Sequence, residues 1–306
     1  MPTSESPMMV SVVLTGIFWL LAAMAAGAQT TVNPPQGYIA FDRVFEGPAP
    51  TSWNGTQTGY ASFDYDFMLA NTSAELAGTF WANNISFHNS TSALPANHVG
   101  GDQGGYVGVQ VKSATESIAI FSIWWALDAR PGPGAECVEA VESWYNDDRP
   151  WEPRIHKMSD ADPSRPVAGG PFRSCRLPIS LEPDKHYRLR LVEVADAREP
   201  DEPEWWAATF TDVSTGTEQY IGQLQVPGSW SWLQGNAGGF IEHFGPMPDG
   251  CDSIPATSSA FLAATANNGS ATSSMSARLY GQCEAALRPH TTIDCRDGRC
   301  QVDIAR

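Results

Sequence analysis

Residues 104–127, GGYVGVQVKSATESIAIFSIWWAL, decide the fold class. They predict two β-strands, 106–111 and 118–127, joined by a polar turn. The Gly-Gly pair before the first strand favours close backbone packing or a bulge. The second strand is apolar on both faces and must be covered on both sides, which predicts a layered β protein with this strand at its centre. The alternation places Ile118, Ile120 and Trp124 on one face, and Phe121, Ile123 and Trp125 on the other.

Strand signals recur along the rest of the chain. Residues 60–69 alternate an aromatic stripe with two aspartates, Asp64 and Asp66. Neither helical periodicity nor an internal repeat follows the first 28 residues. We therefore expect an all-β fold, a single large sandwich or jelly roll of lectin-like type, over residues 29–285. Periodicity is lost between residues 130 and 175, which predicts a long loop insertion. Further strands are predicted at 37–45, 78–87, 186–194, 205–212, 219–226, 239–244, 260–266 and 276–280.

The N-terminal residues predict the cellular compartment of the protein. Residues 10–28 form an apolar run that ends in Ala26-Gly27-Ala28, the small-residue pattern of a cleavage site. This predicts a signal peptide over residues 1–28 and a secreted protein. The leader carries Glu5 and no basic residue, and the run is nearly long enough to span a bilayer. An uncleaved membrane anchor is therefore the alternative.

Six cysteines follow the leader, and an even number in a secreted chain predicts three disulfides. In the C-terminal hairpin predicted over residues 286–306, Asp297-Gly298 forms a two-residue turn. This turn places Cys295 opposite Cys300 at a non-hydrogen-bonded pair, where strands come closest. Chain order pairs Cys137 with Cys175 and Cys251 with Cys283. Because there is no CxxC pair, a metal site is not expected.

The formal net charge of −16 argues against nucleic acid and against direct lipid binding, because it repels phosphate backbones and anionic headgroups. It leaves the oligomeric state open. Five N-x-S/T sequons predict glycosylation, and the four between residues 54 and 89 suggest a glycan-covered face with the binding surface elsewhere. The sequons are Asn54, Asn71, Asn84, Asn89 and Asn268.

Glu242 is the candidate catalytic residue, because strand alternation places it between Phe240 and Phe244. Desolvation there would raise its pKa, as a general acid in glycoside chemistry requires. The alternative is a buried structural glutamate held by hydrogen bonds. His243 falls on the opposite face, which argues against a dyad. Hydrolysis needs a second carboxylate, which Asp64 or Asp66 could supply. The alternatives for these two aspartates are a Ca²⁺ site, which would make Ca²⁺ the cofactor, and a solvated strand face.

Tryptophans provide the candidate ligand-binding residues. Trp230 and Trp232 are two positions apart and share a face, which suits a flat surface for stacking sugar rings, or a plug that closes one end of the domain. In the predicted loop, Trp144, Tyr145 and Asn146 combine aromatic and amide groups suited to sugar recognition.

Several segments carry a resemblance. Gly105-Tyr-Val-Gly-Val-Gln110, Trp206-Ala-Ala-Thr-Phe-Thr-Asp212 and Phe240-Ile-Glu-His-Phe244 occur in an order that resembles the secreted domain-of-unknown-function family 3472 over about residues 60–245. The resemblance implies a β-sandwich and an extracellular setting, without an established reaction. From the residues themselves we expect a glycan or cell-wall polysaccharide as partner. The alternatives are a glycoside hydrolase or polysaccharide lyase that uses Glu242, and a structural or interaction protein of the cell surface.

Overall fold

The computed structural model describes residues 36–46, 59–88, 104–141, 154–157, 171–194, 201–228, 230, 232–235 and 238–305. They belong to one compact unit, Asn33–Arg306. This part of the chain is almost entirely antiparallel β-structure, with a single four-residue α-helix, α1 (Glu284–Leu287). The predicted all-β class is confirmed. The predicted leader lies outside the described residues. In the described part, no helix has both the length and the apolar composition needed to cross a bilayer.

The strands are numbered in chain order. They are β1 Gln36–Glu46, β2 Ser62–Leu69, β3 Thr79–Ser86, β4 Gly104–Val111, β5 Ser117–Trp124, β6 Asp128–Pro131, β7 Glu136–Val141, β8 Arg154–Lys157, β9 Pro171–Ile179, β10 His186–Val194, β11 Asp201–Asp212, β12 Thr217–Gly228, β13 Gly239–His243, β14 Thr257–Leu262, β15 Thr265–Ala266, β16 Ala271–Leu279, β17 Thr291–Arg296 and β18 Arg299–Ile304.

The pairings form two series of antiparallel strands. The first series runs β16-β1-β13-β3-β4-β5-β9-β7-β8. The second runs β12-β11-β10-β2-β14-β18-β17, with β6 added to β12. The short strand β15 pairs with both β2 and β16 and so connects the two series.

Aromatic rings join the two series through a shared core. Phe45 of β1 stacks on Phe63 of β2 with ring centroids 4.7 Å apart, and Phe41 lies 4.1 Å from Phe261 of β14. Beyond the end of β3, Phe87 meets Trp206 of β11 at 5.2 Å. Successive residues of a strand point to opposite faces, so the neighbours of these rings point away from the core. Each series therefore has an outward face of its own.

The central stretch folds largely as its pattern predicts. Strand β5 lies between β4 and β9, and its residues Ser117 to Ile123 are all buried. The Gly-Gly pair allows close contact, because a Cβ on Gly105 would lie 1.8 Å from the carbonyl oxygen of Ser122. The predicted continuation of the strand to residue 127 is wrong. Trp125 adopts a φ of 66°, in the left-handed region, which ends β5 at Trp124.

The predicted loop over residues 130–175 is also wrong as a description of that segment. It contains strand β7, which pairs with β8 and with β9, and the first residues of β9. These strands are short and lie between prolines and glycines. Such a segment shows too little alternation of polar and apolar residues to be predicted as a strand. Cys137 and Cys175 lie directly opposite each other in the β7–β9 ladder, so their disulfide joins strands at a position where they already pair.

All three predicted disulfides are confirmed: Cys137–Cys175, Cys251–Cys283 and Cys295–Cys300. In the C-terminal hairpin, Cys295 faces Cys300 next to the Arg296–Arg299 pair, with Cα atoms 4.0 Å apart. The turn residues Asp297 and Gly298 both have positive φ, 51° and 71°, as a type I′ turn requires. Strand β18 also pairs with β14, so the hairpin extends the second series.

Candidate functional site

A row of aromatic side chains lies on the outward side of the first series. We call this surface the aromatic face and define it by Phe240 of β13, Phe80 of β3, Tyr106 of β4 and Trp124 of β5, with Phe244 just after β13. The rings of Phe240 and Phe80 meet edge to face at 5.7 Å, those of Phe80 and Tyr106 at 5.2 Å, and those of Tyr106 and Trp124 at 5.3 Å. Edge-to-face contacts at these distances are favourable, so the rings hold one another in position.

Small and aliphatic residues form the floor of this face. Ala82, Gly108 and Ile120 are consecutive partners across β3, β4 and β5. The Phe80 ring covers Gly108, because a Cβ on that glycine would lie 2.7 Å from the ring. Phe80 and Ile120 are each only 2% exposed, whereas Phe240, Tyr106 and Trp124 are partly exposed. The floor is therefore dry and the rim is accessible.

Glu242 lies at one end of the aromatic face. In the ladders it is opposite Phe80 of β3 and Gly37 of β1. The side chain is partly exposed, and its carboxyl has no hydrogen-bond or ion-pair partner among the described residues. Burial alone raises the pKa of Glu242 to about 7. The described contacts thus provide none of the hydrogen bonds that a structural glutamate would need.

A phenol lies beside this carboxyl. Tyr280 follows β16, and its hydroxyl oxygen is 1.8 Å from where a Cβ on Gly37 would be, so the hydroxyl rests on that glycine. Burial raises the pKa of Tyr280 to about 12, and the charge of Glu242 adds to the shift. Because Gly37 is opposite Glu242, the phenol and the carboxyl are neighbours. Only a glycine leaves room for this approach.

His243 lies on the other side of β13, as the alternation predicts. It is buried, and its Nε2 is 3.4 Å from the carbonyl oxygen of Pro246. Burial lowers the pKa of His243, which keeps the imidazole neutral near pH 7. Glu242 and His243 therefore do not form a dyad.

Arg176 lies toward the other end of the aromatic face. It is opposite Ile120 of β5 and, on its other side, opposite Glu136 of β7. Burial lowers its pKa, the Nε atom is buried without a hydrogen-bond partner, and Tyr106 is close enough to act on its charge. In the described part of the chain the guanidinium forms neither an ion pair nor a hydrogen bond. The sequence gives no signal for this residue, which reads as an ordinary surface arginine.

A second group of polar residues, the charged face, lies on the outward side of β2 and β10. The Asp66 carboxylate accepts two hydrogen bonds from Arg188, at 2.6 and 2.8 Å, and lies 3.0 Å from Nε2 of His186. Asp64 is 3.7 Å from Arg190. Burial raises the pKa of Asp64, a shift that Arg190 and Arg188 oppose. The carboxylates that the Ca²⁺ alternative would use are therefore paired with side-chain cations of this chain. The described residues contain no cluster of three or more His, Cys, Asp or Glu suited to a metal.

Asp64 and Glu242 are on opposite sides of the core. Phe63 stacks on Phe45 between the two series, so the next residue, Asp64, points outward from the second series. Glu242 shares the face of Phe240, which points outward from the first series. The hypothesis that Asp64 or Asp66 supplies a second carboxylate to Glu242 is therefore wrong.

The predicted exposed pair of tryptophans is wrong as well. Trp230 is 0% exposed and packs on Phe87, with ring centroids 5.4 Å apart. Trp232 is partly exposed, but its indole Nε1 is buried. Trp230 is thus part of the core at one end of the domain, which is the plug that the sequence allowed as the alternative. Trp144, Tyr145 and Asn146 lie outside the described residues.

One of the sequons falls on the aromatic face. Asn84 of β3 is exposed and directly opposite Tyr106, so a glycan on Asn84 would lie beside the aromatic rings. Asn71 is partly exposed and accepts a hydrogen bond from the backbone N–H of Ser258, and Asn268 is exposed and accepts one from Arg190. Asn54 and Asn89 lie outside the described residues.

Two open cavities lie elsewhere, between β16 and β17. One of about 480 Å³ is lined by Ser270 to Met275 and by the tip of the C-terminal hairpin. The other, about 390 Å³, is lined by residues that include Arg278, Glu284 and Arg288. Neither includes Glu242 or a ring of the aromatic face. Both cavities therefore lie along β16 and β17, away from the candidate site.

Comparison of the chain with known protein families gives no match, and comparison with curated proteins gives none either. The resemblance to domain-of-unknown-function family 3472 therefore stays a prediction.

Proposed function

We propose that this chain is a secreted β-sandwich that binds glycan or polysaccharide on its aromatic face. The observation that supports this most is the continuous row of partly exposed rings, Phe240, Tyr106 and Trp124, on a sheet face that points away from the core. The three disulfides suit a protein of an oxidising compartment. In this proposal the two series of strands are the two layers of the sandwich.

The chemistry of the face suits sugar rings. Aromatic rings present apolar surface to the C–H groups of a pyranose, and a few polar groups fix its orientation. Here the dry floor of Ala82 and Ile120 excludes water, and the carboxyl of Glu242 and the guanidinium of Arg176 provide the polar groups. A protein that used this face only for packing would not need an unpartnered carboxyl there.

Binding to a panel of glycans and wall polysaccharides tests the proposal. We expect Tyr106→Ala and Trp124→Ala each to weaken binding about tenfold, because each removes one stacking ring. Trp205→Ala is the matched control. Trp205 is partly exposed and stacks under Arg130 at 3.9 Å, on the second series. The protein is tested with and without its N-glycans, because Asn84 is opposite Tyr106. If all three variants bind as the wild type does, or if the wild type binds no polymer, the proposal fails.

A second candidate is a polysaccharide lyase in which Glu242 acts as the acid–base group. It is favoured by the raised pKa of Glu242 and by the neighbouring Tyr280 hydroxyl. In such a step the carboxylate removes the proton next to a uronate carboxyl group and the electron pair forms a C=C bond. The glycosidic C–O bond breaks, and its oxygen takes a proton from the phenol. A glycoside hydrolase is less favoured, because Asp64 and Asp66, the two candidates for its second carboxylate, point outward from the other series of strands.

Product analysis separates the two candidates. Glu242→Gln keeps the shape of the side chain but cannot accept the proton. A lyase would release unsaturated sugars that absorb in the ultraviolet, and Glu242→Gln would abolish them while leaving polymer binding in place. If the wild type binds polymer and releases no product, the chain is a binding protein.

A further inference from the structure

The aromatic face carries two polar groups without partners, one toward each end. Arg176 of β9 and Glu242 of β13 both point outward from the first series, and neither forms an ion pair or hydrogen bond within the described residues. A guanidinium that is partly buried and unpaired is costly, because it has lost water without gaining an acceptor. An unpaired guanidinium of this kind favours the binding of an anionic ligand.

The ladder register gives the spacing of these groups. Arg176 is level with Ile120, Gly108, Ala82 and Phe240 on successive strands. Four strand spacings separate Arg176 from Phe240, or about 19 Å at the usual distance between neighbouring strands. The rings and the apolar floor fill the space between. A ligand that reaches both ends therefore crosses the strands and is several sugar units long.

The inference rests on the proposed function and specifies its substrate class. We infer that the ligand is an acidic polysaccharide, in which a carboxylate or sulfate group pairs with the Arg176 guanidinium while uncharged parts of the chain lie on the aromatic face toward Glu242. The planar fork of an arginine matches both anions and holds them through two hydrogen bonds.

The charges around Arg176 suit one anionic group and no more. Glu136 is its exposed neighbour on β7 and is already close enough to act on its charge. The formal net charge of −16 repels a polyanion at a distance. A chain with widely spaced acidic units therefore fits better than a densely charged one.

Matched ligands test this inference on the full mature chain. Uronate polymers, namely pectate, alginate and hyaluronan, are each compared with the methyl ester of the same polymer, and dextran sulfate is compared with dextran. The measurement is the dissociation constant at fixed ionic strength. We expect at least one acidic polymer to bind ten times more tightly than its uncharged form, with the uronate and sulfate arms telling which anion is recognised.

Variants at Arg176 locate the effect. Arg176→Met should remove the preference, so that the acidic and the uncharged form of a polymer bind with dissociation constants within about twofold of each other, and denaturant unfolding shows separately that the variant is folded. Arg176→Lys keeps the charge without the fork and should keep only part of the preference. Arg299→Met, an exposed position in the C-terminal hairpin, removes the same charge away from the face and should bind as the wild type does.

The outcomes separate this inference from the proposed function. If the wild type binds uncharged polymers as well as or better than acidic ones, the acidic ligand is wrong and the carbohydrate-binding function stands. If a preference exists but survives in Arg176→Met, Arg176 is not the anion site and the inference fails. If no polymer binds at all, both fail.

Discussion

The charged face and the aromatic face arise from the same strand alternation, but they differ in whether their charged side chains have partners within the chain. On the charged face, Asp66 is held by Arg188 and His186, and Asp64 lies near Arg190. On the aromatic face, Glu242 and Arg176 have no partner among the described residues. On the charged face the carboxylates lie beside cations of the same chain, whereas on the aromatic face the carboxyl of Glu242 and the guanidinium of Arg176 have no such opposite charge paired with them in the described part of the chain. That difference separates a solvated surface from a candidate binding site.

The largest effect is expected for the floor of the aromatic face. Ile120→Ala should lower the free energy of unfolding by about 4 kcal/mol, because Ile120 is 2% exposed although it points away from the core. Denaturant unfolding measures it. Arg190→Ala on the charged face is the control and should cost less than about 1 kcal/mol. If both variants lose less than about 1 kcal/mol, the floor is open to water and the two faces do not differ in the way described.

The next effect is a pH dependence specific to Glu242. Its pKa is about 7 when folded and 4.5 when unfolded, so between these values the folded state holds a proton that the unfolded state releases. The stabilisation is complete below about pH 4.5 and is lost as the pH rises through 7. We expect the free energy of unfolding to fall by about 3 kcal/mol across this window.

Glu242→Gln should abolish this contribution. His243 has a lowered pKa and the opposite pH dependence, but it is present in both proteins and cancels in the difference. The measurement is denaturant unfolding of both proteins from pH 4 to 8. If the free energy of unfolding changes with pH in the same way in both proteins, Glu242 is solvated. Arg176 would then be the one unpartnered charged group that distinguishes the aromatic face from the charged face.

The smallest effect is expected on the charged face. Asp66→Asn removes the charge that holds Arg188 but leaves an acceptor oxygen, and the arginine is partly exposed. We expect a loss of about 1 kcal/mol in the free energy of unfolding, with no change in polysaccharide binding. A loss of binding equal to that of Tyr106→Ala would instead place the ligand on the charged face.

Local patterns predicted much of the fold. The alternation in residues 60–69 correctly placed the aromatic stripe inward and the aspartates outward, because a strand has a side-chain period of two. The hairpin turn at Asp297-Gly298 predicted the Cys295–Cys300 pair from the φ values that such a turn demands. Where a short strand is preceded by prolines and glycines, as β7 is by residues 131–134, the local pattern was too short to predict a strand.

Only some residues of the candidate site could be predicted from the sequence. Glu242 was recognised because its two aromatic neighbours, Phe240 and Phe244, are local. For Trp230 the sequence left an exposed ring and a buried plug as alternatives, because the burial of a tryptophan between strands depends on a partner far away in the chain, here Phe87. Tyr106 and Trp124 were in the central stretch, but nothing local tells which face of an all-apolar strand looks outward.

The sequence by itself determined the all-β class, the Cys295–Cys300 disulfide and the place of Glu242 between Phe240 and Phe244, because each depends on spacing along a single strand or turn. Only the tertiary structure decided which strands are neighbours. The ladders β13-β3-β4-β5-β9 bring together residues from Phe80 to Glu242 and align Arg176 with them. Cross-strand register is set by packing of the whole core, so the aromatic face exists only once the chain has folded.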